Sequence, residues 1–167
     1  HSVMATQVQF RRGTTSQHGS FTGAVGEITV DTDKDTVVVH DGSQAGGFAI
    51  PNLKTAQEFT KTQNFNATSL TDDVNIAWDA SSNQVAKVTL GGNRTLSAAT
   101  NQVDGAVYVL SVTQDGSGSR TLSFNSNYKF TGGTAPTLTT TASATDILVF
   151  LSNGTNMQEI GRSLNVS

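Results

Sequence analysis

Apolar residues come along this chain in short alternating bursts and never in a long helical stripe. Gly26-Glu27-Ile28-Thr29-Val30 and Thr36-Val37-Val38-Val39-His40 are two β-rich runs joined by the polar segment Asp31-Thr32-Asp33-Lys34-Asp35. Asp41-Gly42 ends the second run with a turn dipeptide, so a hairpin is predicted inside an N-terminal arm over residues 5–50. From Phe65 onward the pattern predicts strands over 65–70, 74–78, 84–90, 95–97, 106–113, 120–124, 146–151 and 157–160. Gly, Asn and Asp clusters such as Gly91-Gly92-Asn93 and Asn153-Gly154-Thr155 separate them. Within 85–90, Ala86, Val88 and Leu90 share one face and Lys87 and Thr89 the other; Leu122 and Phe124 point inward past Thr121 and Ser123. Residues 106–110 and 147–151 are apolar on both faces, as central strands or subunit interfaces are. One helical pattern follows Pro51, with Leu53, Ala56 and Phe59 on a shared face, and predicts a short connecting helix over 51–63.

These elements add up to an all-β fold. An N-terminal β-hairpin arm and a short connecting helix precede a jelly-roll-like antiparallel β-sandwich over residues 64–167. The tetrapeptide Arg-Thr-Leu-Ser occurs at 94–97 and again at 120–123, and is read as a chance match rather than a duplicated strand entry.

Composition changes the picture in one respect. Only 35% of the 167 residues are hydrophobic and 14% are charged, the balance being largely Thr, Ser, Asn and 16 Gly. So small an apolar inventory is offset when subunits bury surface against one another, which favours an oligomer. A net charge of −3 offers no broad basic surface to nucleic acid, and Arg11-Arg12 is too small a patch to alter that. Without Cys there is no disulfide, thiolate nucleophile or Cys-based metal site. The longest apolar run, Ile147 to Leu151, is too short to span a bilayer, so no membrane insertion is expected. His1-Ser2-Val3 reads as a cloning remnant ahead of a native start at Met4, setting residues 1–4 apart. No secretory leader is then expected, which implies assembly in a cytoplasm.

Candidate chemistry is thin. Asp31, Asp33 and Asp35 alternate as in calcium loops, but no Gly follows at the required position and no bidentate Glu closes the loop, so Asx-turn use is expected. His40, at a strand end before Asp41-Gly42, is assigned to a surface or interface position; neither it nor His18 is assigned a metal, and no cofactor is predicted. Glycan hydrolysis needs two carboxylates facing across a groove, whereas Glu27, Glu58 and Glu159 each lie in ordinary structural segments. No Gly-x-Ser-x-Gly elbow is present, and the chain is judged too short for the β-helix of depolymerases. The protein is therefore not expected to be an enzyme. Trp78 and Tyr128 are the side chains assigned to a glycan contact, if one exists.

Two stretches carry a resemblance. Phe10-Arg11-Arg12-Gly13-Thr14-Thr15, then Gly26-Glu27-Ile28, then Asp41-Gly42-Ser43 resembles the N-terminal module of tailed-bacteriophage fibre and appendage proteins, with Phe48 in place of the aromatic, often Trp, that the family carries after Asp-Gly. Val88 to Leu96, Gly105 to Tyr108, Gln114 to Leu122, Tyr128 to Phe130, Gly132 to Leu138 and Asp146 to Leu148 are similar to a β-domain repeated across phage tail-fibre and minor structural proteins. The resemblance implies a homotrimeric, non-catalytic virion protein, a small fibre or appendage subunit assembled in the bacterial host cytoplasm. Its arm would dock on other phage structural proteins, capsid or tail, through Arg11, Arg12, Gly13, Thr14, Gly26, Glu27, Asp41 and Gly42. The alternatives are a capsid decoration or cement protein, and a receptor-recognition module that binds host surface glycan.

Overall fold

The computed structural model describes residues 7–53 and 56–166, so the cloning remnant and start assigned to residues 1–4 lie outside the described residues. The chain divides into two compact units at Thr62/Gln63.

The first unit holds β1 (Arg12–Gly13), α1 (Thr15–Gly19), β2 (Ile28–Asp31), β3 (Thr36–Val39) and β4 (Phe48–Ala49), its strands forming one sheet in the order β1-β2-β3-β4. The predicted hairpin is β2–β3, antiparallel from Ile28↔Val39 to Asp31↔Thr36. Parallel β1 and antiparallel β4 extend it on either side. Helix α1 was not anticipated, although Thr14-Thr15-Ser16-Gln17 spells its cap. The Thr14 hydroxyl accepts from the Gln17 N–H, and the Gln17 side chain accepts from the Thr14 N–H at 2.8 Å. The connecting helix expected over 51–63 is a correction: residues 54 and 55 are not described, and none of the others is helical. Its apolar face found nothing to bury against, since Leu53 and Phe59 are exposed, and so short a helix has little intrinsic stability.

The second unit runs β5 (Ala67–Ser69), β6 (Asn75–Ile76), β7 (Val85–Leu90), β8 (Arg94–Leu96), β9 (Val107–Gln114), β10 (Leu122–Phe124), β11 (Tyr128–Lys129), β12 (Thr145–Ser152) and β13 (Met157–Ser163). A 3₁₀ turn, Thr131–Gly133, follows β11. A six-stranded sheet has the order β11-β13-β12-β9-β7-β5, and a three-stranded sheet the order β10-β8-β6. The chain alternates between them from β5 to β10, so neighbours within each sheet are parallel: β5–β7–β9 in one and β6–β8–β10 in the other. Antiparallel pairing is confined to β9–β12–β13.

The antiparallel, jelly-roll-like sandwich is therefore corrected to two mixed or parallel sheets, wound as a short two-sided coil over residues 67–124 and finished by a hairpin. The cause is local. From β5 to β10, each connector that looked like a hairpin turn carries the chain to the opposite sheet, as Thr71-Asp72-Asp73 does between β5 and β6. The inner faces share one core, with Ile76, Leu96 and Leu122 from the smaller sheet meeting Ala86, Val88, Leu90, Leu110, Leu148 and Phe150 from the larger.

Candidate assembly and recognition surfaces

The sheet of the first unit is turned inside out. Along β2 and β3 the residues facing inward are Thr29, Asp31, Thr36, Val38 and His40, all buried, together with His18 from α1. The opposite face carries Ile28, Val37, Val39, Phe48 and Ile50 at 43%, 39%, 37%, 55% and 50% exposure. Ile28 lies opposite Val39 and Val39 opposite Phe48, so these side chains adjoin across three strands. A contiguous apolar face on an exposed sheet marks a surface built to be covered.

The polar interior holds together because its groups satisfy each other in series. The Gly23 N–H donates to His40 Nδ1 at 3.3 Å, which leaves His40 Nε2–H to donate to Thr29 Oγ1 at 2.9 Å. The Thr29 hydroxyl then donates to His18 Nε2 at 2.8 Å, and His18 Nδ1–H to the Thr14 carbonyl at 3.0 Å. This assignment gives every donor one acceptor and fixes opposite tautomers on the two rings. His40, expected at a surface or interface, is thus buried with His18 in one chain of hydrogen bonds, because its strand-end position points it inward in phase with Val38.

Asp31 completes the interior. It accepts from the Thr15 hydroxyl at 2.7 Å and from the N–H groups of Asp33 and Lys34. Burial pushes its carboxyl up, but these hydrogen bonds outweigh it and hold the group below the usual carboxylate range. Asp33 in turn accepts from the Thr15 N–H. The Asp-rich segment serves turn and helix-start geometry, as its Asx-turn reading anticipated.

The residues expected to attach the arm gather in this unit. Arg11 pairs with Glu27 at 2.9 Å and lies 4.9 Å over the Phe21 ring, while Glu27 also accepts from the Ala24 N–H. The Gly13 carbonyl accepts from the Thr32 N–H, and the Gly26 N–H donates to the His40 carbonyl. Asp41 accepts from the N–H groups of Gln44 and Ser43, which hold its carboxyl low. Gly42 has φ +82°, and a Cβ there would stand 2.8 Å from Val25 Cγ2. Arg11, Arg12, Gly13, Gln17, His18 and Phe21 surround a cleft of about 260 Å³.

The assigned sugar contacts behave differently. Trp78 and Tyr128 are 1% and 4% exposed and stack with ring centroids 6.4 Å apart inside an aromatic cluster with Tyr108 and Phe150. The Trp78 indole N–H donates to the Asn83 carbonyl and the Tyr128 hydroxyl to the Ser97 carbonyl, so each polar end is satisfied within the core. Burial also pushes the Tyr128 hydroxyl up. No ring face is left for a sugar at either position, which corrects that assignment.

The repeated tetrapeptide, read as a chance match, lies at two strand entries. Its two copies enter adjacent parallel strands, β8 and β10. Arg94 forms a bidentate pair with Asp72 at 2.8 and 2.9 Å, and Arg120 a pair with Asp115 through Nε and Nη2 at 3.0 and 2.8 Å. Each arginine holds its partner's carboxyl below the ordinary range.

Two family models match the chain. The N-terminal domain of the major tropism determinant matches residues 8–44, and a phage tail fibre C-terminal domain matches residues 71–157. The tail fiber receptor-binding protein of Bordetella phage BPP-1 is 55% identical over 75 residues, which take in 38% of this chain and 20% of that protein. Among solved structures, the I1 variant of the major tropism determinant is 71% identical over 27% of this chain and 12% of its own, with a TM-score of 0.27. The U1 variant is 29% identical over 91% of this chain and 42% of its own, with a TM-score of 0.30. The chain thus spans a fifth of the curated relative and less than half of these structures.

Proposed function

The chain belongs to the phage tail fibre C-terminal domain family, which makes it a virion component, and from that premise we propose that it is a host-recognition subunit of a tail fibre. In this reading the first unit fastens the protein into the fibre and the second presents the surface that meets the host cell. The observation that carries the reading is one chain joining a tropism-determinant module at 8–44 to a fibre domain at 71–157. The curated relative that shares part of this sequence bears the name of a tail fiber receptor-binding protein, which supports recognition as the task rather than docking alone.

The outer face formed by Ile28, Val37, Val39, Phe48 and Ile50 supports self-association, and three copies packed about an axis would cover it. The role is binding by surface complementarity, without catalysis. The test uses the fluorescently labelled protein on cells of the phage's host. It is expected to stain those cells and, in excess, to slow adsorption of the phage. Absence of staining together with unchanged adsorption overturns the proposal.

A further inference from the structure

The six-stranded sheet of the second unit has the core on one side, and its register shows what the other side presents. Ala86, Val88 and Leu90 of β7 and Leu110 and Val112 of β9 point into the core, so the residues between them point out. Across the strands, Ala67, Val85, Val109 and Val149 stand opposite one another in one outward row, beside Val107 opposite Leu151. The next row runs Ser69, Lys87, Ser111 and Ile147, and a third runs Thr89, Thr113 and Thr145. A bulge in β13 adds Ile160, 57% exposed. An aliphatic band thus grades into a band of hydroxyls over one face.

Charge on this face has one sign. Lys87 and Lys129 are its ionisable groups, while Asp146 is buried and Glu159 lies opposite Phe150 on the inner side. Tyr108, Tyr128 and Phe150, the aromatic residues of the sheet, are turned into the core as well. Among the cations of the second unit, Arg94, Arg120 and Arg162 each pair with a carboxylate, and Lys129 donates to the Ser126 carbonyl. Lys87 is exposed and has no acceptor among the described residues. It stands between Ser69 and Ser111, its register partners on either side, where a cleft of about 470 Å³ also reaches Thr89 and Thr113.

Sugar rings stack on aromatic faces, and this surface has none. Two lysines are too few to hold a polyanion such as nucleic acid. A second copy of the same face brings lysines and no carboxylate. An uncharged aliphatic centre with a polar border is the composition of a protein interface. Six strands about 4.8 Å apart and eight residues of about 3.3 Å each give a projected area of about 600 Å², the order of one side of a specific complex. Lys87, set among hydroxyls, is matched by a carboxylate on that protein. We propose that the outer face of the large sheet is the contact surface for a host-cell protein, which sets a carboxylate on Lys87 and aliphatic side chains on Val109 and Val149. This rests on the host-recognition reading and names the surface and the class of partner for it.

The test stains host cells with the labelled full chain, before and after the cells are shaved with proteinase K or oxidised with periodate. Shaving should abolish staining, and periodate should leave it. Lys87→Glu should weaken binding about tenfold and reduce its dependence on salt, whereas Lys87→Arg should keep both. Val109→Thr with Val149→Thr sets hydroxyls against the partner's aliphatic side chains and should weaken binding by a similar factor. These side chains point away from the core, and an unchanged unfolding midpoint from Trp78 fluorescence checks that each variant is folded. Staining that survives shaving or is lost to periodate overturns the protein partner, as does binding unmoved by Lys87→Glu and by the valine pair. A change of assembly mass in the valine variant puts a second copy on the face and overturns the proposal as well. A parent chain that stains no untreated cells removes the recognition reading itself, which sets that failure apart from the others.

Discussion

Thr29 carries one hydroxyl between two imidazoles, and both need it. Thr29→Val keeps the shape but leaves His40 Nε2–H without an acceptor and His18 Nε2 without a donor. Each unpaired buried group costs about 1–3 kcal/mol, so the valine variant should lower stability by at least that much in urea titration followed by far-UV circular dichroism. Thr29→Ser should recover most of the loss. A valine variant as stable as the parent would show that the chain of hydrogen bonds contributes nothing. At this scale the sequence identifies kinds of residue better than their surroundings. Alternation puts Thr36, Val38 and His40 on one face of β3 and Val37 and Val39 on the other, and that much is legible. Which face lies inside is not, because Thr29 and the two histidines neutralise one another's burial cost only in three dimensions. Trp78 poses the same difficulty in reverse, a strand-end aromatic whose burial depends on Asn83 being placed to accept its N–H.

Strands are where the sequence reads best. The runs expected at 84–90, 106–113 and 146–151 match β7, β9 and β12 to within a residue at each end, and Ala86, Val88 and Leu90 bury as their period requires. Their pairing direction does not follow, since a period of two is the same for parallel and antiparallel neighbours. Only the connectors carry that information. Asn153-Gly154 makes a hairpin between β12 and β13, while Asp104-Gly105 lies between β8 and β9, strands of different sheets. The apolar outer face of the first sheet yields a prediction at the level of the element. Val39→Lys with Phe48→Lys sets like charges directly opposite at two exposed positions without touching the inner face. Light scattering after size exclusion should give a multiple of the 17.5 kDa chain mass for the parent and the single mass for the variant, with the far-UV spectrum of the variant preserved. A parent already at one chain mass, or a variant still assembled, would sink self-association through this face.

Across the whole molecule, stability is drawn from two different sources. Apolar burial is concentrated in the second unit. Among the described residues of the first, Val38 is the one buried apolar side chain. Carboxylates support both units alike: Asp31 and Asp41 in the first, Asp72 and Asp115 in the second, are all held below their ordinary pKa of 3.8. Their contribution is complete above that value and fades as pH falls through the lower folded-state values, so at neutral pH it is constant in both units. If the first unit self-associates as proposed, what differs at neutral pH is the need for a partner. A unit whose apolar face is covered only by association becomes more stable as protein concentration rises, whereas a unit with its own core does not. Trp78, the single tryptophan, sits in that core, so its fluorescence reports the second unit, while far-UV circular dichroism reports both. Urea unfolding at pH 7 should therefore give a fluorescence midpoint that is independent of concentration. The dichroism transition should show an earlier component at low concentration that moves toward higher urea as concentration is raised. Coincident transitions at every concentration would mean that the first unit is stable without partners, and its exposed sheet face would then need another explanation than assembly.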